Sequence, residues 1–112
     1  MIRFSDAMLL GDVLKIGSNA LILSAPAPAF NNLRVGCAVG GVIVALGLDR
    51  VWDYHEGAVW YILQQDYPWL EARHLSEITR LYGRVLDGDM TIQQLVHVVR
   101  QWEIVAEFVR AA

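Results

Sequence analysis

The chain has 112 residues, of which 55 % are hydrophobic and 19 % charged, with a formal net charge of −3; ordinary soluble domains run at about 45–50 % and 25 %. Its basic residues are one lysine, Lys15, and eight scattered arginines, so no concentrated positive surface is in view and binding to nucleic acid is not expected. A domain of this size buries only roughly 65 % of its unfolded surface, so the apolar excess predicts burial against a second copy or another protein.

Ser5 reads as an N-cap in "FSDAMLLGDVLKIGSN", with Asp6 in the first turn where the helix dipole favours an anion. Ala7, Leu10, Val13 and Leu14 recur at helical spacing, and Gly17 reads as the stop. Pro26 and Pro28 then make "ALILSAPAPAFNN" an extended connector, with room for a short strand at Leu21–Leu23.

The run "RVGCAVGGVIVALGLD" holds fourteen apolar residues, Val35 to Leu48, closed by Arg34 and Asp49. A membrane-spanning helix needs about 20, so no membrane segment is expected. Gly36 and Gly41 fit G-x-x-x-x-G, but Val42-Ile43 stand where a phosphate loop needs Lys and Ser or Thr. The remaining reading is a helix whose glycines and alanines admit close neighbours. A buried strand over "GVIVALGL" is the alternative, because valine and isoleucine favour strands. Cys37 reads as a small buried hydrophobe. With a single cysteine there is no intramolecular disulfide and no thiolate cluster.

Trp52, Tyr54, Trp60, Tyr61, Tyr67 and Trp69 follow closely, with a helix expected from about Glu56 to Gln65. These aromatics suit a core, a protein interface or a ligand pocket. Leu70, Leu75, Ile78, Leu81, Tyr82 and Val85 mark a further helix ended by "DGD". Thr91 and Gln94 form a capping box for a last helix. Its apolar stripe (Ile92, Leu95, Val96, Val99, Trp102, Ala106) is widened by Val98, Ile104, Val105, Phe108 and Val109, leaving a narrow polar face that includes His97, Arg100, Glu103 and Glu107. A terminal helix this broadly apolar is expected to be wrapped on several sides or to join another chain. The fold class is therefore all-α: one domain, 1–112, a bundle of four to five helices around a Gly/Ala-rich central helix, and oligomeric.

Catalytic signals are sparse. "LDGDMTI" resembles part of a calcium loop, but Val85, Met90 and Val96 stand where ligand, glycine and glutamate are needed. His55, His74 and His97 lie 19 and 23 residues apart, so no two share a helical face at ligand spacing. No serine sits in G-x-S-x-G. No cofactor or metal is expected. Asp53, His55 and Glu56 could form an acid–base site in "VWDYHEG" only by meeting in a cleft.

Three stretches carry a resemblance. "FSDAMLLG" resembles an F-S-x-A-x-x-L-G opening, "CAVGGVIVALG" a C-A-x-G-x-x-x-x-A-x-G helix, and "MTIQQLVHVVRQWE" an aromatic-T-x-x-x-I-x-x-W-V ending after an Ile-x-x-Leu helix, here Ile78 to Leu81. The combination is similar to small proteins of bacterial prophage-like and mobile regions. Met90 and Leu95 depart from the aromatic and the isoleucine, and "GRVLDG" lengthens the turn. The resemblance implies a phage- or mobile-element context and confers no catalytic role on any residue.

The expected function is non-enzymatic: self-association and binding of a protein partner, through Val98, Trp102, Val105, Phe108 and Val109 with Trp52 and Trp69. The alternative is a nucleotide or metabolite pocket between subunits, using Arg50, Asp53, His55 and Arg73. No signal peptide opens the sequence, and the cytoplasm is the expected compartment.

Overall fold

The computed structural model describes residues 1–111. It is mostly helical, with α1 (Phe4–Asp12), α2 (Ala38–Ala45), α3 (Asp49–Tyr54), α4 (Glu56–Asp66), α5 (Ala72–Leu86) and α6 (Ile92–Ala111). Six helices replace the expected four to five, because His55 breaks the aromatic segment into α3 and α4. His55 Nδ1 accepts the Ala58 N–H at 3.1 Å, giving α4 its own cap. The Thr91–Gln94 capping box forms in both directions, at 2.8 and 3.1 Å.

The apolar run divides where a helix was expected throughout. Val35–Gly36 is a strand, β2, pairing in parallel with β1 (Ile16–Gly17), and Leu23 bridges Gly36 from the other direction. Gly17 thus lies in a strand, not at a helix stop. The glycine at 36 is what admits the second neighbour: a Cβ there would stand 2.3 Å from the Ile22 carbonyl oxygen. From Ala38 the chain turns helical, and every residue to Ile43 is buried.

Close approach also decides which face of α1 turns inward. Phe4, Ser5, Ala7, Met8 and Gly11 are buried, whereas Leu10, Val13 and Leu14, expected inside, are exposed. Gly11 crosses α2 at Gly41, and a Cβ on Gly11 would stand 1.9 Å from the Gly41 carbonyl oxygen. Only the face that carries Gly11 permits that contact, so Phe4, Ala7 and Met8 turn inward with it and Leu9 and Leu10 are left to solvent. Ser5 is inside the helix and Arg3 is its N-cap residue.

The core joins Phe4 and Met8 of α1 to Val42 and Ile43 of α2, Val59 and Leu63 of α4, Ile78 and Tyr82 of α5, and Leu95 and Val99 of α6. Phe4 meets Tyr67 and Trp69 edge-on, at centroid distances of 5.3 and 5.7 Å.

Gly11→Ala is expected to lower the urea midpoint by an amount equivalent to about 1–3 kcal/mol, the usual cost of overpacking a tight contact. An unchanged midpoint in equilibrium unfolding would show that α1 does not lie on the α2 backbone.

Candidate functional site

Three polar seams fix the helices before any surface is considered. The first ties α1 to α6: Ser5 Oγ donates to Glu103, the Ser5 N–H reaches the same carboxylate at 3.3 Å, and Arg100 pairs with Asp6. Glu103, expected on the polar face, is therefore buried, because a carboxylate surrounded by donors can leave water where an unpaired one cannot. Arg3 extends the seam to Glu107 at the surface.

The second seam is built on Arg34, which is buried. It grips Asp53 through two parallel bonds of 2.8 and 2.7 Å, donates to the Ser24 carbonyl at 2.9 Å, and lies 3.3 Å from Asp49. Its bonds hold the Asp53 carboxyl below the usual carboxylate range. In the third seam Lys15, with a side chain only 1 % exposed, donates to the Tyr82 hydroxyl at 2.8 Å, with Asp12 at 4.0 Å. Burial lowers the Lys15 pKa despite that acid, and burial pushes Tyr82 up to about 12.

Against this frame the expected ligand residues do not converge on one cleft. Asp53 is engaged by Arg34, His55 caps α4, and Arg50 is exposed on α3. Arg73 stands elsewhere, at the start of α5, paired with Glu71 at 2.9 Å. Among the described residues no three His, Cys, Asp or Glu side chains gather as a metal site would require, and no helix is long and apolar enough to cross a membrane.

The expected contact residues fall into two groups. Trp52 is buried, edge-on to Trp60 at 5.8 Å, so it is core and takes no part in a surface. Val98, Trp102 and Trp69 are half-buried. Val105, Phe108 and Val109 are 61 %, 74 % and 67 % exposed, and Ile104 is exposed beside them. A cleft of about 490 Å³ opens next to this end of α6, between Trp69, Glu71, Arg73 and His74 on one side and Trp102, Val105, Val109 and Arg110 on the other. His74 is its floor. A surface or capping role is what the sequence suggests for this histidine, and it does cap α5 as the partner of Glu71; its place in a cleft was not foreseen. Its Nδ1 accepts the Glu71 N–H at 3.0 Å, and burial lowers its pKa.

No family model matches the sequence, and no curated protein or solved structure does.

Two outcomes test these seams. Asp53→Ala leaves the buried Arg34 without its bidentate partner and is expected to cost about 1–3 kcal/mol in chemical denaturation; an unchanged midpoint would show Arg34 satisfied without it. Tyr67 is also raised to about 12, chiefly by burial. A proton held more tightly in the folded chain stabilises below pH 10 and is lost from pH 10 to 12. Tyr67 and Tyr82 should together make stability fall across that window, by ~2 kcal/mol for each. Lys15 runs the other way, its burial cost easing as pH rises towards 10.5. Tyr67→Phe should flatten the decline, and a slope equal to that of the parent chain would contradict the assignment.

Proposed function

We propose that the chain acts without catalysis, as a self-associating helical protein that binds protein through the end of α6. The single observation carrying this reading is the exposure of Val105, Phe108 and Val109 on a helix whose earlier turns are core. Water gains nothing from a large aromatic and three branched aliphatics side by side, and a contiguous patch of this kind is what interfaces are made from. Trp102 and Val98 continue the same face towards the bundle and supply half-buried anchors.

A second apolar row supports association. Leu9 and Leu10 of α1, with Val13 and Leu14 just after it, are exposed, Val13 by 76 %. A stable pairing needs about 800 Å² from each copy, so the end of α6 would have to pair together with neighbouring surface. The proposed context is phage- or mobile-element-related, with the contact serving assembly or interference with a host process. The chemistry found is that of caps and ion pairs, and the reading needs no reacting group.

Light scattering behind size exclusion, at several concentrations, is expected to give a mass above that of one chain. Phe108→Glu should return it to one chain with an unchanged helical spectrum. Tyr61→Glu, exposed on α4, should leave it as it is. A parent chain that stays monomeric throughout would overturn self-association.

A further inference from the structure

Beyond self-association, we propose that the cleft between Trp69 and Trp102 is a binding site for a small aromatic carboxylate. Three rings run through it in series. Trp69 meets His74 at 5.4 Å between centroids and 78°, and His74 meets Trp102 at 5.0 Å and 49°. Flat, unsaturated walls of this kind receive a flat apolar body at little conformational cost. A volume of about 490 Å³ falls within the range of roughly 300–1,000 Å³ usual for small-molecule sites.

The polar groups define the other half of the ligand. His74 Nδ1 is occupied by the Glu71 N–H, so the neutral ring carries its proton on Nε2. That donor has no acceptor among the described residues, and His74 lines the cleft. Arg73 and Arg110 flank it against the single carboxylate of Glu71. Arg73 spends only its Nε on Glu71, at 2.9 Å, which orients the guanidinium and leaves its terminal nitrogens to donate elsewhere. Two cations, one anion and an unused N–H make this spot positive on a chain of net charge −3. A ring seated in the cleft against Trp102 and His74 would carry its carboxylate to these donors, where a charge-assisted bond is strongest. A neutral ring would lose that bond, and an amine would meet like charge.

The probe is 1-naphthoate, titrated into the whole chain by calorimetry, with 1-naphthylmethanol as its neutral counterpart. Saturable binding, one ligand per chain, is expected with a Kd below about 1 mM, and the alcohol should bind about tenfold more weakly. Trp102→Ala should abolish the signal. Arg73→Met with Arg110→Met should remove the preference for the acid while the circular dichroism is retained. No saturable binding, or equal binding of the alcohol, would overturn the assignment.

Trp102, Val105 and Val109 belong to both the cleft and the association surface, but Phe108 does not line the cleft, so Phe108→Glu tests the two readings apart. An associating chain that binds no naphthoate sinks the ligand site alone. A monomer that binds it sinks self-association alone. Binding by the Phe108→Glu chain but not by its parent would show the cleft covered by a second copy, and would also overturn the ligand assignment.

Discussion

At the crossing of Gly11 and Gly41 no side chain separates two helices, and the remaining packing is arranged around that fact. Contact between backbones sets how deeply α1 sinks into the bundle. That depth brings Phe4 to Tyr67 and Trp69, and lets Ser5 reach the Glu103 carboxylate on α6. The face with Phe4, Ala7, Met8 and Gly11 turns inward and Leu9 and Leu10 are left to solvent, so a requirement of the core leaves an apolar surface outside it. Interior glycine is costly for a helix, by up to ~1 kcal/mol against alanine. Here it is offset by burial that no bulkier residue would allow.

Burial of charge follows the same economy of space. Arg34, Lys15 and Glu103 all lie inside, and each is surrounded by partners that a small apolar domain can spare. Arg34 is the most connected: its side chain joins α3 to the connector, while its backbone carbonyl accepts the Ile16 N–H at 2.9 Å in the strand pair. Arg34 alone of that pair is buried, Asp53 standing at the surface, and the cost of taking the guanidinium out of water offsets much of what the pairing contributes. The short parallel strands, too brief to hold by themselves, are joined by backbone bonds from the Ile16 N–H to the Arg34 carbonyl and from the Ser18 N–H to the Gly36 carbonyl, both 2.9 Å.

Much of the helical content was legible in the sequence because it is written locally. The Thr91–Gln94 box and the bounds of α4 depend on neighbours a few residues apart. Long-range partners are a different matter. Of the stripe Ala7, Leu10, Val13 and Leu14 only Ala7 faces in, since periodicity counts apolar residues and cannot know that Gly11 will meet another glycine. Val35–Gly36 reads as helix until Ile16 and Leu23 are placed beside it. Arg34 and Asp49 were visible as the ends of an apolar run, yet nothing in that spacing shows that the two would meet across the fold. The exposed end of α6 was foreshadowed by the width of its stripe. The cleft beside it was not, because Trp69 and His74 meet Trp102 only when two stretches about thirty residues apart are brought together.

Lys15 is the sole lysine of the sequence, and its ammonium is sealed beneath Tyr82 at the junction of α1 and β1. Amine-directed reagents therefore find no lysine on the folded surface. Any acylation of Lys15 has to wait for the segment between α1 and β1 to lift, so the rate of that acylation becomes a clock for one local opening, and a residue buried for structural reasons serves as a built-in reporter of when the bundle breathes.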